Sequence, residues 1–391
     1  MIDPTLQMVF VLGFESYRQT HNLPSYILKA AYYIIKCRTA MMGGHAQVCP
    51  DGHYEKNHYN SCKHRMCPLC AYIKVQQWLD KQKARILACD HYHVVFTIPH
   101  ESNSLWCYNK KIMKAILMSS AKETVFELLG DKKYLGAVPG IIGALHTWTK
   151  TLLLHPHVHF LVTGGGLKDG KWIALTSGFL FPVRVACNLF RGKFRAAVLK
   201  ALSKGNLVLP PDMTEQQLIN LLNKLGRKKW NIKICEKYSH GMGVLTYLAK
   251  YLRGGPISNS RIVQIENGQV IFNVGRGKKL LMTLSIEEFI GRFIQHIPLP
   301  GQRLVCCYGL YASTKKKYLN WVRSQLGQGD VEQIKEKSWQ EILEERFSDS
   351  IEKPWLCPVC GKRLITKPLS GDKSKPTEQN SERPPPLKLA A

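Results

Sequence analysis

The chain has 391 residues, of which 45% are hydrophobic and 21% are charged, as in ordinary globular proteins, and its length predicts two or three domains. Its 55 Lys and Arg residues exceed its 28 Asp and Glu residues, so the formal net charge is +27 and the expected partner is a polyanion, nucleic acid before an anionic membrane. No apolar run reaches about 18 residues, so we expect no membrane-spanning helix.

The first residues, Met1-Ile2-Asp3-Pro4, lack the basic stretch that opens a signal peptide. We therefore expect a cytoplasmic protein whose thirteen cysteines are reduced thiols or metal ligands. Residues 1–36 are predicted to be helical from the spacing of their apolar residues.

Residues 37–70 are rich in cysteine and histidine, the ligands that zinc prefers. The candidate ligands are Cys37, His45, Cys49, His53, Cys62, His64, Cys67 and Cys70. The Cys67-Pro68-Leu69-Cys70 knuckle follows Cys49 and His53 closely, which is typical of a structural zinc site. The first zinc ion is expected on Cys49, His53, Cys67 and Cys70. Cys62 and Cys37 are the candidates for a second site, and free thiols are the alternative interpretation.

Residues 71–89 are predicted to form an amphipathic basic helix, and residues 93–99 a buried strand that ends at a proline. A helix at about residues 107–129 and a strand at residues 143–150 follow. The next strand begins near His155 and continues as an apolar run.

Two histidines of this strand, His157 and His159, are separated by one apolar residue. Because alternate residues of a strand share a face, both imidazoles are expected to point one way while Val158 and Phe160 point into a core. Two adjacent neutral imidazoles form half of a divalent-cation site, although structural histidines are the alternative. The segment His91-Tyr92-His93 repeats the pattern, but it lies where its strand begins and receives less weight.

Residues 183–226 are predicted to form two helices separated by Pro210-Pro211, and residues 227–234 lead into a basic strand. Further on, a hairpin turns at Asn267-Gly268 and a basic loop follows it. The candidate contacts to single-stranded DNA are Lys228, Lys229, Trp230, Arg276, Lys278 and Lys279. The cations would neutralise phosphates, and the tryptophan would stack on a base.

A helix between these segments begins near Gly243 and carries Tyr247 and Tyr251, with Lys250 beside them. Residues four apart share a helix face, so both hydroxyls are expected at one site. A tyrosine can attack a phosphodiester and hold the DNA end covalently, and the ammonium of Lys250 would favour the phenolate. The alternative is that both tyrosines are core residues.

The end of the chain is predicted to contain a helix at residues 285–295, a strand at residues 303–309 and a helix from about residue 313. A second knuckle, Cys357-Pro358-Val359-Cys360, has no obvious partner pair in the sequence. Residues from 368 onwards are rich in Lys, Ser, Glu and Pro, so we expect them to be disordered.

The order of Phe96-Thr97-Ile98, His157-Val158-His159 and Tyr247-Leu248-Ala249-Lys250-Tyr251 resembles that of the HUH single-strand endonucleases. Together with Leu145-His146-Thr147-Trp148, the cysteine-rich segment more specifically resembles the rolling-circle insertion-sequence transposases of the IS ninety-one type. The resemblance covers about residues 10–320. Many members carry Cys-x-x-Cys where this chain has Cys49-Pro50-Asp51-Gly52-His53, which leaves open whether His53 replaces the missing thiolate.

The motifs and the resemblance together predict an α+β fold. It has an N-terminal zinc-binding module, then an HUH-type antiparallel sheet of four or five strands with packed helices, and a disordered tail. The expected domains are a zinc-binding DNA-recognition domain (1–90), a two-tyrosine catalytic domain (91–325), a C-terminal helix with the Cys-x-x-Cys knuckle (326–367) and the tail (368–391).

The resemblance also implies catalysis on single-stranded DNA at the ends of a mobile element and at its target. It implies a bacterial protein of the cytoplasm that is associated with the nucleoid. A catalytic Mg²⁺ or Mn²⁺ would be held by His157 and His159, with His146 on the preceding strand as the candidate third ligand. Tyr247 would make the first cleavage and leave a 5′-phosphotyrosine, and Tyr251 would serve a later step.

Two other functions would explain part of the sequence. A zinc-dependent DNA-binding regulator without catalysis would explain the charge and the cysteines, but not a histidine strand together with a two-tyrosine helix. A plasmid replication initiator would share the chemistry, and the zinc module together with Leu145-His146-Thr147-Trp148 favours the transposase over it.

Overall fold

The computed structural model describes residues 3–239, 242–249, 255–275, 280–347 and 353–369. The helices are α1 (Leu6–Thr20), α2 (Ser25–Lys36), α3 (Ala71–Lys83), α4 (Asn103–Tyr108), α5 (Lys110–Gly130), α6 (Val183–Ser203), α7 (Glu215–Arg227), α8 (Met242–Ala249), α9 (Ile286–Ile294), α10 (Lys316–Gln325) and α11 (Trp339–Phe347). The strands are β1 (Gly44–Val48), β2 (Glu55–Tyr59), β3 (His91–Thr97), β4 (Val138–Trp148), β5 (Leu154–Lys168), β6 (Lys171–Ala174), β7 (Asn231–Tyr238), β8 (Ile262–Glu266), β9 (Gln269–Asn273), β10 (Leu281–Ser285), β11 (Val305–Gly309) and β12 (Ile365–Pro368). The predicted α+β class is confirmed.

The chain divides into two compact units. The first comprises the described parts of Met1–Trp78, Arg253–Ile297 and Lys335–Ala391, and the second comprises those of Leu79–Leu252 and Pro298–Ile334. This division differs from the linear domain order predicted above. Strand pairing is the physical reason, because β12 near the end of the chain adds to the N-terminal sheet.

The first unit contains two small antiparallel sheets, in the orders β12-β1-β2 and β10-β9-β8. Helix α1 packs against α2 and α9, and Phe10 of α1 meets Phe293 of α9 edge to face with ring centroids 5.3 Å apart. The predicted hairpin turn is present between β8 and β9. Asn267 and Gly268 both have positive φ, 47° and 71°, as a two-residue turn between antiparallel strands requires.

The second unit is built on an antiparallel sheet in the order β11-β4-β5-β3-β7, with β6 paired to β5. Among the described residues it has six strands, more than the four or five predicted, because β6 and β11 both join it. Apolar side chains on one face, including Val94, Phe96, Val158 and Phe160, pack into a core with α5 and α6. The alternate residues of the same strands are therefore left for the other face.

Within the residues that the structure describes, no helix combines the length and the apolar character needed to span a bilayer.

Candidate metal sites and catalytic residues

Four cysteines of the first unit converge. Cys37 caps the C-terminus of α2, Cys62 follows β2, and Cys67 and Cys70 flank the short turn that leads into α3. Three Sγ–Sγ pairs, Cys37–Cys70, Cys62–Cys70 and Cys37–Cys67, are 3.5–3.6 Å apart, and all four sulfurs lie within 4.8 Å of one another. Sulfurs bound to one tetrahedral zinc ion at about 2.3 Å would be about 3.8 Å apart, whereas a disulfide requires about 2.05 Å. The cluster therefore fits a Cys₄ zinc site.

Hydrogen bonds favour a thiolate in this cluster. They come first from the Cys37 thiol and also from the backbone of Lys63, and they hold the pKa of Cys70 well below its usual range. Lys63 itself has a positive φ of 53°, and the next backbone N–H, that of His64, lies 3.4 Å from Cys62 Sγ. Backbone N–H groups that point at the sulfurs stabilise the charge that zinc ligands carry.

The predicted pairing of the zinc ligands is wrong. Cys49 and His53 were expected to share an ion with Cys67 and Cys70, but they lie with Cys357 and Cys360 instead. The ligand atoms of this second group are also within 4.8 Å of one another. The sequence shows both knuckles, but only strand pairing over a long separation shows which ligands meet. His45 and His64 belong to neither group.

Three histidines of the second unit share one face of its sheet. His146 on β4 lies directly opposite His157 on β5, and His159 lies two residues further along β5. Their ligand nitrogens lie within 4.8 Å of one another, and the ring centroids of His146 and His159 are 4.2 Å apart. Val158 and Phe160 are buried in the core on the other face, as predicted.

Burial keeps these imidazoles neutral. Desolvation lowers the pKa of His157 to about 4 and that of His159 to about 2, and it holds the pKa of His146 well below the usual value. A neutral imidazole offers one nitrogen lone pair to a metal ion. In His157 this lone pair is on Nε2, because Nδ1 donates its hydrogen to the carbonyl of His155 at 2.6 Å.

A fourth histidine, which belongs to the weaker of the two candidate histidine segments, contacts this cluster. His93 of β3 lies across from Leu161, two residues beyond His159, and its Nε2 is 2.8 Å from His159 Nδ1. His91, the other member of the His91-Tyr92-His93 segment, bonds to the Tyr311 hydroxyl instead, at 2.8 Å. The spacing gave no indication that the two histidines would have different partners, because these partners lie on other elements, His159 on β5 and Tyr311 after β11.

The predicted tyrosine helix is α8, which begins at Met242 and carries Tyr247. It contacts β5 and β7, and its residues Leu245 and Leu248 are buried. The side chain of Tyr247 and the whole of Lys250 and Tyr251 lie outside the described part of the chain.

The predicted DNA contacts are only partly accessible to a ligand. Trp230 is only 3% exposed, packs edge to face between Phe190 and Phe194 at 5.4 and 5.3 Å, and donates its indole N–H to the carbonyl of Leu225. Its predicted role in base stacking is therefore wrong, because both ring faces are covered.

Among the predicted cations, Lys228 and Lys229 are exposed. The Lys228 ammonium forms an ion pair with Glu101. Arg276, Lys278 and Lys279 lie outside the described residues.

Two models of known protein families match separate regions of the chain. Residues 9–98 match the family model described as "Transposase zinc-binding domain", and residues 140–318 match the one described as "Putative transposase". The first match contains the Cys₄ cluster, and the second contains His146, His157, His159 and both tyrosines.

Two curated relatives align over most of their length. The "Putative transposase y4qJ" of Sinorhizobium fredii is 32% identical over 379 residues, which cover 93% of this chain and 94% of that protein. The "Transposase for insertion sequence element IS801" of Pseudomonas savastanoi pv. phaseolicola is 28% identical over 354 residues, 86% of this chain and 83% of that protein. No solved structure matches the chain.

The matched domains and the full-length relatives agree with the motifs described above. They indicate a DNA-processing enzyme whose partner is DNA and whose N-terminal domain binds zinc. The chain belongs to the IS91-type family of insertion-sequence transposases.

Proposed function

We propose that this transposase nicks and rejoins single-stranded DNA through a covalent 5′-phosphotyrosine. The observation that carries the proposal is the convergence of His146, His157 and His159, whose ligand nitrogens lie within 4.8 Å of one another on one face of the sheet. A protein that only binds DNA has no need for such a cluster. The tyrosine helix α8 contacts β5, the strand that bears two of the three histidines.

The three imidazoles suit a divalent cation. They are neutral, they converge, and they would leave coordination positions for the oxygen ligands that Mg²⁺ or Mn²⁺ prefers. When bound there, such a cation would act as a Lewis acid on the scissile phosphate.

The tyrosines would supply the nucleophile. The hydroxyl oxygen of Tyr247 attacks phosphorus, so a tyrosine–phosphate bond forms while the bond to the 3′ oxygen breaks, and that oxygen leaves as a free 3′-OH after taking up a proton. The phosphodiester energy is kept in the covalent intermediate for rejoining. Tyr251 serves the second cleavage or strand transfer, and Lys250 steadies the negative charge. Tyr247 is assigned the first step because it precedes Tyr251 in the sequence and so lies closer to the start of the helix at Met242.

Binding of the strand would rest on exposed cations. Lys228 and Lys229 precede β7, and Arg276, Lys278 and Lys279 are assigned to the same role from the sequence. The zinc-binding module, which is rich in Lys and Arg, would recognise the ends of the element.

A denaturing gel tests this function. Labelled single-stranded DNA that carries an end of the element is incubated with the protein and Mn²⁺. Wild-type protein is expected to give a covalent protein–DNA band, and Tyr247→Phe to abolish the first adduct while keeping the packing of the ring. Tyr251→Phe should still form the adduct but stall strand transfer.

Two control variants distinguish the loss of a catalytic group from a general loss of folded protein. Tyr108→Phe removes the hydroxyl of an exposed tyrosine of the same unit and should leave the band unchanged. His157→Ala should abolish the band, whereas His100→Ala, at an exposed histidine, should not.

A band that persists in the Tyr247→Phe, Tyr251→Phe double variant means that the nucleophile is elsewhere. DNA binding without any band in the wild type supports a zinc-dependent regulator instead.

A further inference from the structure

A Cys-x-x-Cys knuckle near the end of the chain lies outside both regions that match known families. Cys357 and Cys360 are, however, next to the turn that contains Cys49 and His53. The Sγ atoms of Cys49 and Cys360 are 3.5 Å apart although the residues are 311 positions apart in sequence, and His53 Nδ1 lies 3.9 Å from Cys49 Sγ. A disulfide would require about 2.05 Å between sulfurs, whereas ligands of one tetrahedral zinc ion are expected about 3.6–3.8 Å apart.

The two turns that supply these ligands have similar backbones. Each begins with Cys-Pro, and the N–H of the leading cysteine, Cys49 or Cys357, donates to the carbonyl five residues later, at 2.7 and 2.8 Å. A glycine with positive φ donates back to the carbonyl of that cysteine; it is Gly52, three residues on, in the first turn and Gly361, four residues on, in the second, at 3.0 and 2.9 Å. Two such knuckles that face each other can supply the ligands of one zinc ion, as in zinc ribbons.

Strand pairing brings the two knuckles together. The first follows β1 and the second precedes β12, and the two strands are antiparallel, with Val48 opposite Ile365. The C-terminal end of β1 therefore lies beside the N-terminal end of β12, which places both knuckles at the same end of the sheet.

Packing and charge support the same arrangement. Cys49 and Cys357 are each 2% exposed and share a small buried cluster with Leu364. At the rim, the Lys362 ammonium lies 2.7 Å from the Asp51 carboxylate. An exposed ion pair adds little stability, but this one joins one knuckle to the other.

We infer that Cys49, His53, Cys357 and Cys360 bind a second structural zinc ion, which fastens the C-terminal knuckle to the N-terminal zinc module. This site is distinct from the Cys₄ cluster of Cys37, Cys62, Cys67 and Cys70. The second ion closes a loop of about 300 residues, and a metal that closes a long loop removes much conformational freedom from the unfolded chain. The first unit is thus completed only when the last part of the chain has been made.

Zinc content of the full-length protein tests the inference. Wild-type protein purified without added metal should release about two equivalents of zinc on thiol modification. The double variant Cys357→Ser, Cys360→Ser should release about one, since its Cys₄ cluster is intact. Cys107→Ser, at an exposed cysteine outside both groups, should still release two.

A conservative variant covers the case in which the serine variant fails to fold. Cys360→His keeps a zinc ligand and should restore two equivalents. Replacement of zinc by Co²⁺ should then show weaker sulfur-to-cobalt absorption than the wild type, because one of seven thiolates is lost. One equivalent of zinc in folded wild-type protein overturns the inference, and so does a serine double variant that keeps two.

Discussion

His93 has a contact through which it can position a metal ligand. Its Nε2 lies 2.8 Å from Nδ1 of His159, so a hydrogen bond from that Nδ1–H would fix the His159 ring with Nε2 towards His146 and His157. A partner that orients a ligating histidine also raises the basicity of the ligand. His93 is therefore a positioning residue for the proposed cation site.

Replacement of His93 should lower the apparent affinity for Mn²⁺ more than it lowers the stability of the fold. In His93→Leu, the Mn²⁺ concentration for half-maximal adduct formation should rise about 10- to 100-fold. His93→Gln, whose amide oxygen can accept from His159, should recover part of this loss. A melting temperature that falls while the Mn²⁺ dependence stays unchanged would assign His93 a structural role only.

The network around His91 predicts how stability depends on pH. His91 is fully buried, its Nδ1 donates to the carbonyl of Cys89, and its Nε2 accepts from Tyr311. Desolvation lowers its pKa to about 4, whereas the unfolded chain should titrate near 6.5. The unfolded state therefore binds more protons between these values, so the stability contributed by neutral His91 is complete above pH 6.5 and is lost as the pH falls through about 4.

The His91 contribution amounts to about 3 kcal/mol, at 1.36 kcal/mol for each pKa unit. Urea unfolding of the wild type at pH 7.5 and pH 4 should show this loss together with those of the other buried histidines. His91→Phe lowers stability at both pH values but should show a smaller difference between them. An unchanged difference would show that His91 does not titrate as its burial requires.

At the residue level, local spacing predicted the metal ligands but not their groups. The two-residue period of a strand placed His157 and His159 on one face, and the neighbouring strand supplied His146. The zinc ligands were found as knuckles, yet their pairing depends on β1 meeting β12, more than 300 residues away. No local sequence pattern shows that these two strands pair.

The segment that joins α7 to β7 differs from its predicted role in DNA binding. Trp230 was expected to stack on DNA, because it adjoins Lys228 and Lys229 in the sequence. It instead packs against α6 through Phe190 and Phe194. Aromatic residues beside cations are found both in DNA-binding surfaces and at the edges of cores, so composition alone does not distinguish the two.

Removal of Trp230 should therefore cost stability rather than DNA affinity. Trp230→Ala should lower the free energy of unfolding by about 3–5 kcal/mol, measured by urea titration. The control is Trp321→Ala, since Trp321 is 56% exposed and its main described contact is a hydrogen bond to Gly170, worth about 1 kcal/mol. A folded Trp230 variant that loses DNA affinity at unchanged stability would restore the stacking role.

For the whole molecule, composition predicted the partner class and periodicity predicted most elements. Helices and strands with a strong pattern, such as α9, β3 and β5, lie where they were expected. The discontinuous first unit was not predicted, because β12 and the second knuckle are distant from β1 in sequence. Short segments held together by such contacts have little periodicity of their own.

The net charge of +27 predicts strongly salt-dependent binding of single-stranded DNA. If about six phosphates are neutralised, the slope of log affinity against log salt should be about −4. The double variant Lys228→Ala, Lys229→Ala should reduce the magnitude of this slope by about 1.4. The control double variant Lys132→Ala, Lys133→Ala should leave the slope unchanged. Affinity that does not vary with salt would contradict an electrostatic DNA surface.

In the proposed mechanism a tyrosine of the α8 segment becomes linked to DNA, and peptide mapping of the adduct tests this directly. Trypsin cuts after Lys237, Lys250 and Arg253, so Tyr247 and Tyr251 fall in different peptides. In the first adduct, formed with Mn²⁺, we predict that mass spectrometry finds the nucleotide on the peptide of residues 238–250, with fragment ions that place it on Tyr247 and not on Tyr238. Attachment to Tyr251 would reverse the two roles, and attachment to any residue outside this segment would contradict the proposed tyrosine mechanism.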